Sequence, residues 1–282
     1  LTGHAGTPLT GELLASAELP DSDTARLDVE LLLCHAIGKP RTYLRTWPER
    51  QPDAEQLRRF EQLMSQRRRG VPVAYLLGSQ GFWSLQLDVS ESTLIPRPDT
   101  ERLVEVALEL GPSEPAKVLD LGTGTGAIAL ALAVERPDWQ LTGVDRVAEA
   151  VALARGNAER LQIRNAAFEQ SDWFSALAGR QFDLIVSNPP YIAADDPHLQ
   201  QGDVRFEPGS ALVSGTDGLD DIRRLVQLAP DHLQSDGWLL FEHGWQQADA
   251  VAELLGTRGF EQVQSWRDLG GQQRVTGGQW RG

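Results

Sequence analysis

The chain has 282 residues, enough for two modest domains or one large one. Its 26 basic and 40 acidic residues give a formal net charge of −14, and 41% of its residues are apolar. This acidic balance argues against a protein that binds the phosphate backbone of duplex nucleic acid, because such binding usually rests on a basic surface. The apolar fraction is sufficient for a hydrophobic core and excludes wholesale disorder.

A single cysteine, Cys34, excludes an intrachain disulfide and a zinc site built on several thiolates. No apolar run approaches the roughly 18 residues of a membrane span, and the first residues lack the pattern of a secretion signal. We therefore expect a cytoplasmic protein. The histidines show no spacing typical of metal ligands, so no metal site is predicted from them: His4, His35, His198, His232 and His243.

The first part of the chain is predicted to be helical. Asp23 or Thr24 can cap a helix that ends by Gly38, and Asp53 can cap a second helix with one apolar face. The second helix ends in three consecutive cations, Arg67–Arg69. Cations at a helix end are typical of a solvated face that interacts with the helix dipole, and we favour that interpretation. The alternative is a docking patch for an acidic or ribonucleoprotein partner.

Two short elements lie between this helical part and the rest of the chain. Residues 82–89 alternate apolar and polar side chains from Trp83 onward, which predicts a strand or hairpin arm. Residues 94–100 contain two prolines that fix φ, which predicts a rigid linker with Asp99 or Thr100 as the cap of the next helix.

Charge is distributed unevenly along the chain. Residues 1–90 hold 10 basic and 11 acidic residues, whereas residues 91–282 hold 16 and 29. This difference indicates two kinds of surface and hence two domains. The predicted division is a helical domain over residues 1–78, a hairpin and linker over 79–99, and a second domain over 100–282.

From Lys117 onward, strand and helix patterns alternate. The predicted strands are Val118–Leu121, Leu141–Val144, Ala167–Gln170, Phe182–Ser187 and Trp238–Glu242. The predicted helices lie near residues 125–134, 147–161, 219–234 and 246–256. Short apolar strands separated by helices are typical of an α/β fold with a buried, mostly parallel sheet covered on both faces. Apolar residues from Phe260 to Trp280 predict an antiparallel pair that closes this sheet, which makes seven strands.

A glycine-rich turn follows the first of these strands. Gly122, Gly124 and Gly126 are spaced G-x-G-x-G, which differs from the G-x-G-x-x-G of dinucleotide-binding proteins. Such glycines let the backbone approach a ligand closely, and the helix behind them offers free N–H groups. Asp145 ends the next strand, where a carboxylate can accept both ribose hydroxyls of an adenosine. Together these features predict an adenosine-containing ligand, and the alternative is a glycine turn without a ligand.

Three further residues refine the prediction of the ligand. Asp120 stands just before the glycines, where a carboxylate would repel a pyrophosphate and could hold an ammonium group. This favours S-adenosylmethionine, whose amino-acid end is zwitterionic, over NAD. Asp172 and Trp173 follow the third strand and fit an adenine site, with Asp172 for the amino group and Trp173 as an apolar wall.

The sequence Asn188-Pro189-Pro190-Tyr191 comes directly after a buried strand. Two prolines alone would indicate only a stiff strand exit. A planar NH₂ group is a poor nucleophile because its lone pair is delocalised. The carbonyl oxygens of the Asn188 side chain and the Pro189 backbone could accept its two N–H bonds and orient its nitrogen, while the Tyr191 ring packs on the substrate plane.

The chain is similar to the bacterial HemK/PrmC-type release-factor glutamine methyltransferases over nearly its whole length. The matching segments are Ile95–Glu101, Asp120–Gly126, Asp145, Asp172-Trp173, Ser187–Tyr191 and Gln201–Pro208. The resemblance implies the Rossmann-like sheet of class I methyltransferases, a small helical N-terminal domain, and a glutamine side chain in the Gly-Gly-Gln loop of peptide chain release factors as the methyl acceptor.

The resemblance also implies roles for individual residues. Gly122, Thr123, Gly124, Thr125, Gly126, Asp145, Trp173 and Asn188 would contact S-adenosylmethionine. Asn188, Pro189, Pro190 and Tyr191 would hold the glutamine, and Arg97 is expected to contact the substrate. The N-terminal helices would dock the release factor, which makes Arg67–Arg69 a candidate contact.

Several alternatives remain open from the sequence. The same chemistry could act on a glutamine of a ribosomal protein or on the amino group of adenine in nucleic acid, although adenine in a duplex must be flipped out. A nicotinamide-dependent oxidoreductase and a catalytically silent binding module fit less well. The long segment after Tyr191 is expected to close over the substrate, with Asp203 as a hypothetical proton acceptor.

The C-terminal tail itself contains the tripeptide Gly-Gly-Gln twice, at residues 270–272 and 277–279. Two glycines at a strand end are the ordinary interpretation, and we favour it. The alternative is a pseudosubstrate or self-methylation role.

Overall fold

The computed structural model describes residues 7–20 and 22–282, so His4 lies outside the described residues. The chain divides into two units. The first runs to Gly78 and also includes Pro197–Phe206, and the second comprises Ser79–Asp196 and Glu207–Gly282. The division differs from the sequence prediction in two places. The hairpin and linker at 79–99 are part of the second unit, and the segment 197–206 is grouped with the N-terminal helices.

The first unit is built from five short helices around a small apolar core. They are α1 (Thr10–Ser16), α2 (Ala25–Ile37), α3 (Arg41–Thr46), α4 (Ala54–Arg68) and α5 (Val73–Leu77). Leu32 and Leu33 of α2 pack with Phe60 and Met64 of α4 in this core. The predicted cap of α4 is confirmed, because the Asp53 side chain accepts hydrogen bonds from two backbone N–H groups of the first turn.

The predicted cap of α2 is only half right. Thr24 occupies the N-cap position, but its side chain accepts no backbone N–H. Its hydroxyl instead donates to the carboxylate of Asp28, at 2.8 Å. Gly38 ends the helix in the left-handed conformation, as expected of a glycine past the last turn.

Arg67 lies in a buried charge cluster of the first unit and is not a free surface cation. Its guanidinium binds Asp28 at 2.8 Å and Asp203 at 2.9 Å, and only 10% of its side chain is exposed. The docking hypothesis for Arg67–Arg69 therefore cannot rest on Arg67, whereas Arg68 and Arg69 are exposed. Asp203, the hypothetical proton acceptor, is thus paired with Arg67 within this unit.

The second unit contains a hairpin and a seven-stranded sheet with helices. Its strands are β1 (Ser79–Phe82), β2 (Leu85–Asp88), β3 (Lys117–Leu121), β4 (Gln140–Asp145), β5 (Ala166–Gln170), β6 (Phe182–Ser187), β7 (Leu233–Glu242), β8 (Glu261–Arg267) and β9 (Gln273–Trp280). Its helices are α6 (Glu101–Leu110), α7 (Ala127–Glu135), α8 (Ala148–Arg160), α9 (Asp220–Leu228) and α10 (Ala248–Arg258). No helix within residues 7–20 and 22–282 is long and apolar enough to cross a membrane.

The sheet has the strand order β5-β4-β3-β6-β7-β9-β8. The first five strands are parallel, and β9 is antiparallel to both of its neighbours. The predicted mostly parallel sheet with a closing antiparallel pair is thus confirmed. The predicted helix over 219–234 is too long, because α9 ends at Leu228 and a 3₁₀ turn with Pro230 follows. Proline cannot continue the helical hydrogen bonds, and β7 begins earlier than predicted, at Leu233.

Each face of the sheet has its own apolar core. Val118 and Leu184 pack with residues of α6, α7 and α8 on one face. Their chain neighbours Leu119 and Ile185 pack with residues of α9 and α10 on the other face. This alternation follows from the two-residue period of a strand and explains why the central strands are apolar at nearly every position.

The direction of chain progression across the sheet reverses at β3. Strands β4 and β5 lie on one side of β3, whereas β6 lies on the other, with Leu121 opposite Ser187. The segments that leave β3 and β6 at their carboxyl ends therefore diverge and open a crevice between them. Ligands of open α/β sheets bind at such switch points.

The glycines of both C-terminal Gly-Gly-Gln tripeptides have structural explanations. Gly270 and Gly271 form the turn between β8 and β9, where Gly271 has a φ of +83°. Gly277 lies inside β9, where a Cβ atom would collide with Leu240 and would stand 2.7 Å from the carbonyl oxygen of Leu239. Close packing and turn geometry thus account for these glycines without a pseudosubstrate role.

We expect Gly277→Ala to destabilise the protein by about 1–3 kcal/mol, because the added methyl group has no space in the packed sheet. Gly256→Ala is the matched control, since a Cβ there meets nothing within 4 Å. In helix α10 this control should be stabilising by about 0.5–1 kcal/mol. Chemical denaturation measures both changes, and a Gly277→Ala variant as stable as the wild type would contradict the packing argument.

Candidate active site

A cleft lies at the carboxyl edge of the sheet, at the switch point between β3 and β6. It encloses about 950 Å³ of space, part of it open to solvent. Its lining includes most of the residues predicted from the sequence, namely Arg97, Gly122, Thr123, Gly124, Thr125, Asp145, Asp172, Trp173, Asn188 and Pro190. The predicted residues that do not line it are Asp120, Gly126, Pro189 and Tyr191.

The glycine loop after β3 forms the floor of the cleft. The backbone N–H groups of Gly122 and Thr123 both donate to the carbonyl of Val144, each at 2.9 Å. Gly122 has a φ of +74°, and a Cβ there would lie 3.4 Å from the ring of Trp173. A side chain at this position would be strained and would fill the cleft, so glycine keeps the space open for a ligand. Gly126 is the N-cap of α7 and lies behind the loop.

Asp145 is held at the end of β4 by two backbone N–H groups. Its Oδ2 accepts from Gly124 at 3.0 Å, and its Oδ1 accepts from Val147 at 2.9 Å. Each carboxylate oxygen has a further lone pair, so Asp145 can still accept hydroxyl donors from the cleft that it lines. Its position fits the predicted contact with a ribose diol.

Asp120 is placed differently from the sequence prediction. It is 0% exposed and does not line the cleft. Its Oδ2 accepts hydrogen bonds from the Thr123 hydroxyl at 2.6 Å and from the Ala129 N–H at 3.3 Å. Among the described residues, its Oδ1 has no partner. The structure therefore gives no support for contact with an ammonium group in the cleft, and it indicates that Asp120 fixes the glycine loop from behind.

Trp173 and Asp172 form one side wall of the cleft. Trp173 has a φ of +52°, and its ring lies against Gly122. The exposed carboxylate of Asp172 is bound by both terminal nitrogens of Arg224, at 3.0 and 3.1 Å. Trp173 fits the predicted apolar wall, whereas the charge of Asp172 is largely offset by Arg224.

Asn188 stands at the end of β6 and lines the cleft. Its Nδ2 donates to the hydroxyl of Thr100 at 3.3 Å. No donor is bonded to its Oδ1 in the part of the chain that the structure describes. Thr100 occupies the predicted N-cap position of α6, but its side chain makes no capping hydrogen bond and meets Asn188 instead.

Tyr191 is fixed by its backbone. Its carbonyl accepts a hydrogen bond from Nε2 of Gln247 at 3.0 Å. A Cβ at Gly218 would collide with this carbonyl, so only a glycine permits the close approach. Burial raises the pKa of the Tyr191 hydroxyl, with a further contribution from the charge of Glu242, and the hydroxyl is therefore neutral at physiological pH.

Two residues that position the site were missed from the sequence. The buried carboxylate of Glu207 accepts from the guanidinium of Arg97 at 2.7 Å and from the N–H of Ile95 at 3.2 Å. The amide nitrogen of Asn157 in α8 donates to the carbonyls of Thr125 and Asp88, each at 3.0 Å. A polar residue on the buried face of an amphipathic helix was the available signal for Asn157. For Glu207 the signal was its place in the matching segment Gln201–Pro208.

The buried carboxyl of Asp120 predicts a pH-dependent stability. Burial raises its pKa from 3.8 to about 7, and the nearby charge of Asp145 adds to this. The folded protein thus binds this proton more tightly than the unfolded chain, so stability is lost as the pH rises from about 4 to about 7. The Asp120→Asn variant has no carboxyl at this position, so its stability does not fall for this reason as the pH rises. We expect its Tm relative to wild type to increase across that range and to level off above it, measured by thermal denaturation; a constant Tm difference would contradict the assignment.

Comparison with known families identifies both parts of the chain. Residues 13–78 match the family described as PrmC N-terminal domain. Residues 100–203 match the family described as methyltransferase small domain.

Among solved structures, the fold is similar to a methyltransferase from Pyrococcus furiosus, with a TM-score of 0.53 and 18% identity over 69% of this chain and 89% of that chain. It is also similar to a T. thermophilus 16S rRNA methyltransferase in complex with AdoMet and guanosine, with a TM-score of 0.50 and 22% identity over 72% of this chain and 50% of that chain. At these identities the likeness concerns the fold alone.

Curated relatives are much more similar. The release factor glutamine methyltransferase of Pseudomonas aeruginosa is 63% identical over 95% of this chain and 97% of the relative. The enzyme of Vibrio cholerae is 55% identical over 92% of this chain and 91% of the relative. The enzyme of Escherichia coli is 52% identical over 94% of this chain and 96% of the relative. These matches confirm the resemblance found in the sequence. The chain belongs to the family of release factor glutamine methyltransferases.

Proposed function

We propose that this protein transfers a methyl group from S-adenosylmethionine to the side-chain amide nitrogen of the glutamine in the Gly-Gly-Gln motif of peptide chain release factors. Family membership supports the reaction class and the release factor as substrate. The single observation that carries the proposal is the placement of Asn188. Its amide stands at the switch point beside the glycine loop, with Nδ2 bound to Thr100 and Oδ1 left for a ligand.

The cleft fits S-adenosylmethionine. A Cβ at Gly122 would fill the space beside Trp173, and Asp145 offers carboxylate oxygens where a ribose diol needs acceptors. The loop Gly122–Gly126, Asp145 and Trp173 would hold the cofactor. When bound, S-adenosylmethionine supplies a methyl group on a positively charged sulfur, which makes the methyl carbon electrophilic.

Asn188 and Pro189 would orient the acceptor. The glutamine NH₂ group has two N–H donors, and the Asn188 Oδ1 and the Pro189 carbonyl are two acceptors at one strand end. Pro189 and Pro190 carry no N–H, so the backbone of these two residues offers no competing donor. Holding a weak nucleophile in line with its electrophile can lower the barrier by about 7–11 kcal/mol. Transfer would form a C–N bond and break the C–S bond of the methyl group, leaving S-adenosylhomocysteine. The nitrogen would become acidic as the C–N bond forms and would lose a proton to the solvent that enters the cleft, so no strong base is required.

The first unit would dock the release factor, because it matches the PrmC N-terminal domain. Arg68 and Arg69 remain candidate contacts, since both are exposed. Arg67 is excluded because its guanidinium is occupied by two carboxylates.

A methyl-transfer assay with purified substrates tests the proposed function. The substrates are a release factor, its Gln→Ala variant in the Gly-Gly-Gln loop, ribosomal proteins, and an adenine-containing oligonucleotide. We expect one added methyl group on the release factor, detected by mass spectrometry and absent from the Gln→Ala variant. Methylation of a ribosomal protein or of adenine in its place would overturn the assignment of the substrate.

Substitution of Asn188 and of Asp145 should separate catalysis from cofactor binding. Asn188→Ala removes an acceptor of the substrate amide, so we expect kcat to fall by roughly 10²–10³-fold. Its affinity for S-adenosylmethionine should change far less. Asp145→Ala removes an acceptor of the ribose hydroxyls and should raise the dissociation constant of S-adenosylmethionine about 10–100-fold. Calorimetry and steady-state kinetics measure both, and the reverse pattern would contradict the assigned roles.

Asn157 should matter for cofactor affinity, because its side chain holds the carbonyl of Thr125 in the glycine loop. Asn165 is the matched control, since its side chain holds the carbonyls of Ala133, Arg136 and Trp139 outside that loop. Replacement of either by Ala should cost about 1–3 kcal/mol of stability. Only Asn157→Ala should weaken S-adenosylmethionine binding, and equal affinities in the two variants would contradict this.

A further inference from the structure

Arg97 and Glu207 form an ion pair at the wall of the cleft. Nη2 of Arg97 donates to Oε2 of Glu207 at 2.7 Å. The side chain of Glu207 is 0% exposed, whereas that of Arg97 is 35% exposed and lines the cleft. A fully buried carboxylate is thus paired with a cation that a ligand in the cleft can reach. The mechanism proposed for Asn188 and Pro189 uses neither charge.

The Glu207 carboxylate binds one short segment of chain at two points. Its Oε1 accepts the backbone N–H of Ile95 at 3.2 Å, and its Oε2 accepts the guanidinium of Arg97. Because the carboxylate is anchored to the backbone of the segment that carries Arg97, it fixes the direction of the guanidinium as well as offsetting its charge.

Arg97 stands at the end of the cleft where methyl transfer is proposed. Its backbone carbonyl accepts the N–H of Thr100 at 3.1 Å. The Thr100 hydroxyl in turn accepts Nδ2 of Asn188 at 3.3 Å. Two hydrogen bonds therefore connect Arg97 with the residue proposed to orient the substrate, and all three residues line the cleft.

The guanidinium of Arg97 has donors left for a ligand. It carries five N–H groups, and among the described residues it binds only Glu207. Two of the three residues in a Gly-Gly-Gln segment have no side chain, so binding of that segment depends on its backbone. The oxygens of Asn188 and Pro189 are acceptors, which suit the NH₂ group of the glutamine. A backbone carbonyl of the segment needs a donor, and Arg97 supplies one.

A lone cation at this end of the cleft would oppose cofactor binding. S-adenosylmethionine carries a positive charge on its sulfur, whereas the sulfur of S-adenosylhomocysteine is neutral. An unbalanced charge on Arg97 would therefore repel the first compound and not the second. At an effective dielectric constant of about 20, two unit charges about 10 Å apart change a binding constant by roughly tenfold. The buried carboxylate of Glu207 offsets this repulsion.

We propose that Arg97 is a substrate-binding residue that donates to a backbone carbonyl of the Gly-Gly-Gln segment, and that Glu207 positions its guanidinium and offsets its charge beside the positively charged sulfur. The donor role of Arg97 rests on the proposed function. The charge role of Glu207 concerns the cofactor alone, so it is measured without a release factor.

Glu207→Gln tests the charge role. The new side chain keeps an acceptor for the N–H of Ile95, and Arg97 is exposed enough to be hydrated, so we expect the variant to fold. The dissociation constant of S-adenosylmethionine should rise roughly tenfold, and that of S-adenosylhomocysteine should change less than about twofold, both measured by calorimetry. Binding of S-adenosylhomocysteine shows that the cleft is intact. A ratio of the two constants equal to that of the wild type would overturn the charge role.

Glu30→Gln is the matched control for this measurement. The Glu30 side chain is 10% exposed and pairs with Arg41, whose side chain is 45% exposed. Neither residue lines the cleft. Loss of this charge should leave the ratio of the two dissociation constants unchanged. A change as large as that in Glu207→Gln would assign the effect to the net charge of the protein and would contradict the charge role of Glu207.

The double variant with Arg97→Gln and Glu207→Gln tests the donor role. It has no unpaired charge, so the ratio of the two dissociation constants should return to within about twofold of the wild type. Its KM for the release factor should be about tenfold higher, with kcat changed less than about threefold, because a charged donor to the bound substrate is lost. A KM equal to that of the wild type would overturn the donor role, including where Glu207→Gln alone does not fold.

The proposed function and the charge role of Glu207 fail separately. A wild type that does not methylate the release factor, combined with the expected shift of the ratio in Glu207→Gln, would overturn the proposed function and support the charge role. A wild type that methylates the release factor, combined with an unchanged ratio in Glu207→Gln, would overturn the charge role and leave the proposed function supported.

Discussion

The site depends on the parallel pairing of β3 with β6. In this pairing Leu121 lies opposite Ser187, so the residues after each strand leave the sheet at the same level. The glycine loop and Asn188 are therefore neighbours although 62 or more positions separate them in the chain. Backbone hydrogen bonds fix this register, and the apolar cores on both faces prevent it from slipping, because a one-residue shift would turn every core side chain to the wrong face.

Around this edge the protein buries two carboxyl groups with one unpartnered oxygen each, Asp120 and Glu242. Neither lines the cleft, and Asp120 accepts a hydrogen bond from Thr123, which does line it. Asp120 fixes the loop proposed to hold the cofactor, and Glu242 ends β7, the strand paired with β6. Hydrogen bonds made at low dielectric orient such groups strongly, which offsets part of the cost of burying them. The protein therefore accepts a lower folding stability at the edge of the sheet where the cleft lies.

Local features of the site could be predicted from the sequence because their residues are consecutive. The glycine turn, Asp145 and Asn188 each follow an apolar strand, and parallel strands end at a common edge. Whether a side chain at a strand end lies in the cleft or behind it could not be predicted, because its direction depends on its neighbours in space. Asp120 therefore lies behind the loop and not in the cleft, and Thr100 meets Asn188 rather than the first turn of α6.

The sequence by itself determined the alternation of strands and helices from Lys117 onward, the closing antiparallel pair, the family and the chemistry of the residues at each strand end. These follow from short-range periodicity and from motifs. Only the tertiary structure decided which charges are free and which are paired. It pairs Arg67 with Asp203, Arg97 with Glu207, and Asp172 with Arg224. Each of these pairs joins residues at least 52 positions apart, and a contact at that separation exists only once the chain has folded.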